Sequence, residues 1–162
     1  MEKKKAIVID IDDCWMDSRL WISKAPIGSR NEEEWDLFYK KVYLCKPNKS
    51  FIRDVINFIF ETNVFPIFVT SRSERVLKDT IFQIQNNSSL VVGDTCELYM
   101  RTPFNDFRSS EKVKKDILIK LMDRYDIAYA IDDTEINLEM FKSLGIKTVI
   151  RYKINGDDYE RV

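Results

Sequence analysis

Short apolar runs that alternate with segments of helical periodicity are the feature that most constrains this fold. The four clearest runs are residues 6–9, 65–69, 127–131 and 147–150, and residues 97–100 form a weaker fifth run. Runs of this length are typical of buried parallel strands when helical segments lie between them. The alternation therefore predicts an α/β fold with a parallel sheet and right-handed crossovers.

Helical segments occupy the intervals between the strands. Apolar residues recur at helical spacing in residues 51–59, 73–85, 111–125 and 134–144. Residues 18–46 break the alternation, because they separate the first strand from its expected crossover helix. We expect this segment to form a small helical cap inserted into a single domain that spans residues 1–162.

Two absences from the composition exclude several kinds of active site. The sequence contains no histidine, which excludes Ser-His-Asp and Cys-His catalysis and His-ligated zinc. Its four glycines cannot form a P-loop or a GxGxxG nucleotide-binding motif. The available chemistry is therefore that of carboxylates, lysines, arginines and hydroxyls.

Charge and cysteine content indicate the setting in which the protein works. Lys and Arg number 26 against 27 Asp and Glu, whereas a protein that binds duplex nucleic acid through phosphates is usually more basic. Cys14, Cys45 and Cys96 form no CxxC pair and indicate free thiols. No signal peptide or membrane-spanning run is apparent. We expect a cytoplasmic protein with no membrane contact and no obligate protein partner.

Polar residues follow three of the predicted strands. These residues are Asp10, Asp12, Asp13, Thr70, Ser71, Arg72, Asp132 and Asp133. A single Asp in such a position is more often a turn residue, but repetition at three strand ends favours a site, because ligands of open parallel sheets bind at the carboxyl ends of the strands. Clustered carboxylates repel one another unless a cation lies between them, and such an oxygen-rich cluster suits Mg²⁺.

These residues resemble the four motifs of the haloacid dehalogenase (HAD) superfamily phosphatases. The motifs are an Asp-x-Asp after the first strand, a Thr after the second, an upstream lysine and a final Asp-Asp. The order of "TSR", "YMR…NDFRSSEKVKKDIL" and "AIDDTEINLEMFKSLGI" is similar to the phosphatase domain of phage-type polynucleotide kinase–phosphatases. The resemblance covers essentially the whole chain apart from residues 18–46. It implies a three-layer Rossmann-like HAD fold with a small helical cap.

The resemblance also implies catalytic roles. Asp10 is expected to attack phosphorus and form an aspartyl-phosphate, and Asp12 to protonate the leaving oxygen and then activate water. Thr70 and Lys114 are expected to bind the phosphoryl oxygens, with Lys115 as the alternative to Lys114.

Metal-binding and substrate-binding residues follow from the same resemblance. Mg²⁺ is expected to bind Asp10, the backbone carbonyl of Asp12 and Asp133, with Asp132 beside it. Arg72 is expected to contact the substrate, as are Arg101 and Ser71.

The first motif departs from the family at two positions. Asp13 stands where the family has glycine, and Cys14 stands where it has Thr or Val. Asp tolerates positive φ, so we expect the turn to survive. Without an imidazole to activate it, Cys14 is interpreted as a small buried residue and not as a nucleophile.

The expected function is Mg²⁺-dependent removal of phosphate, first of all a 3′-phosphate, from nucleic-acid ends or nucleotides. The alternatives are a 5′- or 3′-nucleotidase acting on free nucleotides and, from a different class, a catalytically inactive binding module. Retention of every charged catalytic position argues against the inactive module.

Overall fold

The computed structural model describes residues 1–154, 156 and 158–162. The strands among them are β1 (Lys4–Ile9), β2 (Met16–Asp17), β3 (Lys46–Pro47), β4 (Phe65–Ser73), β5 (Glu97–Arg101), β6 (Tyr125–Asp132), β7 (Thr148–Lys153) and β8 (Asp158–Arg161). The α-helices are α1 (Arg19–Ile22), α2 (Glu32–Tyr39), α3 (Lys49–Thr62), α4 (Leu77–Gln85), α5 (Ser110–Met122) and α6 (Glu135–Ser143). None of these described helices is long and apolar enough to cross a membrane.

The central sheet has six strands in the order β5-β4-β1-β6-β7-β8. The first five of these are parallel, and β8 runs antiparallel to β7 at one edge. The predicted α/β fold with a parallel sheet is confirmed. The antiparallel edge strand was not predicted, because its residues Asp158–Arg161 are exposed and carry no apolar run.

Helices cover both faces of the sheet and make the fold three-layered. Alternate residues of β1 point to opposite faces, so Ala6 and Val8 join a core cluster that includes Leu118 of α5. Ile7 and Ile9 join a second cluster that includes Phe51 of α3. Burial on both faces explains why β1 is continuously apolar rather than alternating.

The helix boundaries lie close to those predicted. α5 begins after Ser109, and α6 begins after Thr134 and is followed by Gly145 at φ 83°. The predicted helix over residues 73–85 is divided into a 3₁₀ turn at Glu74–Val76 and α4.

Residues 18–46 fold into a small helical segment with its own aromatic core. β2 and β3 pair as a short antiparallel ribbon that closes the base of this segment. Within it, Trp21 stacks on Phe38 with ring centroids 4.5 Å apart and donates a hydrogen bond from Nε1 to the Phe38 carbonyl at 2.9 Å. Asn31 caps α2 by accepting a hydrogen bond from the Glu33 backbone N–H at 2.9 Å. The ribbon and these contacts hold α1 and α2 together.

Candidate active site

The carboxyl ends of β4, β1 and β6 lie side by side and gather the predicted motifs. β1 lies between the other two strands, with Ile9 paired to Phe68 and to Ile131. The Asp10 backbone N–H continues this pairing and donates to the Ile131 carbonyl at 3.1 Å. The structure therefore places Asp10 next to the end of β6, where Asp132 is fully buried.

Lys114 joins two carboxylates at this edge of the sheet. Its Nζ lies 2.7 Å from Asp10 Oδ1 and 2.6 Å from Asp132 Oδ2. Burial alone would lower the pKa of Lys114, but the two carboxylates raise it above its ordinary value, so the ammonium stays charged. The neighbouring Lys115 is exposed, and the structure brings only Lys114 of this pair to the carboxylates.

Asp132 is held in its ionised form by several donors. Its Oδ1 accepts hydrogen bonds from the Thr134 backbone N–H at 3.0 Å and from Thr134 Oγ1 at 2.9 Å. Asn137 Nδ2 donates to both carboxylate oxygens at 3.1 Å. Burial would raise the pKa of Asp132, but the Lys114 ammonium and these hydrogen bonds hold it below its ordinary value.

Asp10 and Asp133 carry negative charge that the protein does not fully compensate. Burial, followed by the Asp132 charge, raises the pKa of Asp10 well above its ordinary value. The same two causes raise the pKa of Asp133 to about 7. A cation between crowded carboxylates removes this repulsion.

The donor set fits a hard divalent cation. Single ligand atoms of Asp10, Cys14 and Asp133 lie within 4.8 Å of one another, and the two carboxylates supply the oxygen ligands that Mg²⁺ prefers. The Cys14 thiol is buried and soft, which makes it a poor Mg²⁺ ligand. Among the described residues, Asn137 Oδ1 is a buried side-chain oxygen with no hydrogen-bond partner. Asn137 lines the cavity, so this oxygen is an unused acceptor in the wall of the site.

Asp12 occupies a different environment from Asp10, although the two are separated by one residue. Arg72 donates to the Asp12 carboxylate from Nε at 2.9 and 3.1 Å and from Nη2 at 2.6 Å. Ser18 Oγ also donates to Asp12 Oδ1, at 2.6 Å. Asp10 thus faces an ammonium and two carboxylates, whereas Asp12 is oriented by a guanidinium and a hydroxyl.

Arg72 was predicted to contact the substrate, but its side chain is 1% exposed. Besides Asp12, its Nη1 donates to Thr80 Oγ1 at 3.2 Å and to Gln83 Oε1 at 2.6 Å. Its guanidinium also lies 5.0 Å from the Trp21 ring centroid. The structure therefore directs Arg72 toward protein groups, chiefly Asp12.

The Arg101 side chain contacts the backbone of Ser71. Arg101 Nε donates to the Ser71 carbonyl at 2.9 Å, and its Nη1 donates to the carbonyls of Asp106 at 3.1 Å and Arg108 at 2.6 Å. Arg101 thereby fixes residues 102–109, the loop between β5 and α5, to the end of β4. Thr70 is buried, and its Oγ1 accepts a hydrogen bond from the Arg72 backbone N–H at 3.1 Å.

The turn after β1 forms with Asp13 and Cys14 in place of the residues usual in the family. Asp13 has φ 60°, the left-handed conformation expected at a glycine position, and its Oδ1 accepts from the Ser18 backbone N–H at 2.9 Å. Cys14 is fully buried, as predicted, and Asn48 Nδ2 donates to its carbonyl at 3.0 Å.

A cavity of about 430 Å³ opens beside Asp10 and Lys114. Residues 18–46 and the loop 102–109 contribute to its lining, together with Asp12, Asp13 and Asp133. Sequence reasoning assigned no role to several residues that shape the site: Phe107 and Asn137 lie within the quoted motif segments but were not singled out, and no motif or spacing marks the other three. These residues are Ser18, Thr80, Gln83, Phe107 and Asn137.

Comparisons with solved structures show the same fold in proteins of low sequence identity. One chain of the Pnkp1/Rnl/Hen1 RNA repair complex is 15% identical over 93% of this chain, with a TM-score of 0.69. A beta-phosphoglucomutase-type protein from Thermotoga maritima is 14% identical over 92% of this chain and 84% of its own length, with a TM-score of 0.55. The class C acid phosphatase from Bacillus anthracis is 17% identical over 85% of this chain and 54% of its own length, with a TM-score of 0.51.

The family comparison covers nearly all of the chain. The chain spans only 43% of the RNA repair protein that it matches, and no curated protein matches it by sequence. Residues 4–153, however, match the family described as the polynucleotide kinase PNKP phosphatase domain. The chain therefore belongs to this family of HAD-type phosphatases.

Proposed function

We propose that the protein is a Mg²⁺-dependent phosphomonoesterase that removes phosphate from nucleic-acid ends or nucleotides, with a 3′-phosphate as the preferred group. We also propose that residues 1–162 form one phosphatase domain in which residues 18–46 act as a cap. The observation that carries this proposal is that two carboxylates separated by one residue have different partners. Asp10 is paired with Lys114, and Asp12 is paired with Arg72 and Ser18.

Asp10 is the proposed nucleophile. Its carboxylate attacks phosphorus, the bond to the leaving oxygen breaks, and an aspartyl-phosphate forms. The Lys114 ammonium, 2.7 Å from Asp10, stabilises negative charge on the transferring phosphoryl group. Thr70 is proposed to donate a hydrogen bond to the same group.

Asp12 is the proposed general acid and base. It donates a proton to the leaving oxygen and then accepts one from the water that hydrolyses the aspartyl-phosphate. Arg72 and Ser18 fix the direction of its carboxylate, so we assign Arg72 as a positioning residue rather than a substrate contact.

Asp10, Asp133 and the backbone carbonyl of Asp12 are the proposed Mg²⁺ ligands, with Asp132 beside them. When bound, the ion supplies positive charge that offsets the carboxylates and the incoming phosphate. Asp132 then keeps Lys114 in place through the 2.6 Å contact.

Phosphate release from four substrates tests this proposal. They are a 3′-phosphorylated oligonucleotide, a free nucleoside 3′-phosphate, a free nucleoside 5′-phosphate and a sugar phosphate. We expect Mg²⁺-dependent release that is fastest from the two substrates that carry a 3′-phosphate on a nucleoside. Faster release from the 5′-nucleotide favours the nucleotidase alternative, and release from none favours the inactive binding module.

Asp10→Asn is the variant that tests the nucleophile. It preserves the side-chain shape and removes the attacking oxygen anion, so we expect release to fall by about 10³-fold or more with the fold intact. Retained turnover in this variant contradicts the assignment of Asp10. The exposed Asp94→Asn substitution is the matched control.

A further inference from the structure

Part of the cavity wall has a chemistry that phosphate transfer does not use. Seven apolar or aromatic residues from residues 18–46, Tyr39 among them, line the cavity that also contains Asp10. The other six are Trp21, Ile22, Ala25, Ile27, Trp35 and Phe38. Phe107 lines the same cavity from the loop 102–109. The cavity therefore joins a charged reaction centre to an apolar and aromatic surface.

Trp35 is held rigidly at this surface. Its Nε1 donates to the Ser29 carbonyl at 2.8 Å, and its ring lies 5.6 Å from Phe38 and 5.9 Å from Tyr39 between centroids. The residue nevertheless remains partly exposed. A fixed indole loses little side-chain entropy when a second planar ring packs against it.

Phe107 is also partly exposed and has no aromatic neighbour within the described part of the chain. The hydrogen bonds of Arg101 to the carbonyls of Asp106 and Arg108 flank it and fix its backbone. Glu32 accepts a hydrogen bond from the Asn105 backbone N–H at 3.0 Å, and its partner Arg75 donates to the Pro103 carbonyl at 2.7 Å, so the start of α2 is joined to this loop. The two elements that carry Trp35 and Phe107 are therefore tied to each other.

The charges around the cavity limit how much of a polyanion it can hold. Its cationic lining residues are Arg72, Arg75, Arg101, Arg108 and Lys114. Each is ion-paired with a carboxylate of this chain, in that order with Asp12, Glu32, Asp106, Asp106 and Asp10. Lys114 is assigned to the transferred phosphoryl group, and among the other described lining residues a second phosphate finds no cation that lacks a carboxylate partner. Tight binding of a polynucleotide backbone usually depends on such cations.

We propose that Trp35 and Phe107 form a subsite for the nucleobase of the nucleotide whose phosphate is removed, and that recognition stops at this nucleotide. The proposal rests on the proposed phosphatase function and names the part of the substrate that the cavity binds. A volume of about 430 Å³ lies within the range of pockets that enclose one small ligand. Base–aromatic stacking is tolerant of base identity, so we expect little discrimination among the four bases.

A pair of substrates that differ only in the base tests the subsite. One is a deoxynucleoside 3′-phosphate, and the other is the same sugar 3-phosphate without a base. We expect the wild-type protein to favour the nucleotide by about tenfold in kcat/KM, because stacking on an aromatic side chain strengthens its binding. Trp35→Ala and Phe107→Ala are each expected to reduce this ratio of the two kcat/KM values severalfold.

Three further variants control for indirect effects. Leu37→Ala lies on α2 but outside the cavity, so it should keep the full preference for the base. Trp35→Phe and Phe107→Tyr retain an aromatic ring, so they should keep most of the preference for the nucleotide over the base-free substrate. If Trp35→Ala unfolds, which thermal unfolding detects, Phe107→Ala decides the matter, because its ring contacts no other described ring. An unchanged preference in folded Phe107→Ala overturns the subsite.

A comparison of a 3′-phosphorylated oligonucleotide with the free nucleoside 3′-phosphate tests whether recognition extends beyond one nucleotide. We expect the two values of kcat/KM to agree within about threefold and to depend weakly on salt, because few phosphate contacts are made. A much faster oligonucleotide reaction with steep salt dependence overturns recognition of a single nucleotide. If the wild-type protein hydrolyses the nucleotide and the base-free substrate equally well, the base subsite is wrong and the phosphatase function stands. If it hydrolyses neither, the proposed function fails.

Discussion

Asp12 and Arg72 form the side-chain contact on which the proposed acid–base step depends. Arginine holds a carboxylate with a planar fork of donors, whereas lysine offers a single ammonium. Arg72→Lys therefore keeps the positive charge while losing the geometry. We expect kcat to fall by about 10- to 100-fold for an alkyl phosphate, whose leaving oxygen must be protonated. For an aryl phosphate with a good leaving group, we expect a change of about threefold or less.

The dependence on the leaving group separates positioning from substrate contact. Loss of a substrate contact would weaken both substrates alike and appear chiefly in KM. An equal loss for the alkyl and aryl phosphates therefore contradicts the positioning role. Arg53→Lys, on the exposed Arg53–Asp54 pair of α3, is the matched control, and thermal unfolding verifies that Arg72→Lys remains folded.

At the residue scale, the sequence predicted which side chains come together better than it predicted what each contacts. Asp10 and Asp132 lie at strand ends, Lys114 is one of the two lysines that the family resemblance indicated, and the structure joins all three. Arg72 was expected to face the substrate, yet it is buried against Asp12. Its other partners, Thr80 and Gln83, come from α4, and no spacing in the sequence encodes that packing.

The turn between β1 and β2 carries two residues, Asp13 and Cys14, that differ from the first motif of the family. Asp13 has φ 60°, a conformation that costs most L-residues about 1–2 kcal/mol and costs glycine nothing. Asp13→Gly therefore removes backbone strain while losing the 2.9 Å hydrogen bond from the Ser18 N–H. We expect its stability to stay within about 1 kcal/mol of the wild type, and Asp13→Ala to be about 1 kcal/mol less stable than Asp13→Gly.

Chemical denaturation measures these differences, and phosphate release shows whether the turn alone sets activity. Asp123 provides the control, since it is exposed at φ −70°, a conformation that alanine adopts freely. Asp123→Ala should therefore be close to neutral. If Asp13→Gly loses activity while Asp13→Ala keeps it, the backbone explanation is wrong. If both variants are stable and inactive, the Asp13 carboxylate contributes to the reaction directly.

At the element scale, the strands and helices that the sequence predicted are those whose apolar residues form a clear run or recur at regular spacing. β1, β4 and β6 are short apolar runs, and the helices between them carry an apolar stripe. β2 and β3 have two residues each, which is too short for any periodicity to appear. Their pairing is set by the packing of residues 18–46, so local sequence could not reveal it.

The whole molecule carries a near balance of charge, with 26 basic and 27 acidic residues, yet its candidate active site concentrates carboxylates. Asp10, Asp132 and Asp133 share a buried region that contains one lysine, Lys114, within hydrogen-bonding distance of two of them. Repulsion among these groups opposes folding, and a bound cation removes it. We therefore expect the free energy of unfolding to be lower without the metal than with it.

Mg²⁺ should therefore stabilise the whole fold as well as support turnover. A ligand that binds only the folded state at ten times its Kd contributes about 1.4 kcal/mol, which corresponds to a Tm increase of about 3–5 °C for a chain of this size. We expect chelation to abolish phosphate release and to lower Tm, and added Mg²⁺ to restore both.

Asp133→Asn removes one ligand and part of the repulsion, so its metal-free Tm should exceed that of the metal-free wild type, and its response to Mg²⁺ should shrink. Asp94→Asn, an exposed substitution outside the cavity, should respond like the wild type. An equal Mg²⁺ response in Asp133→Asn and Asp94→Asn would place the ion elsewhere, because only a site that contains Asp133 couples this carboxylate to both metal binding and folding.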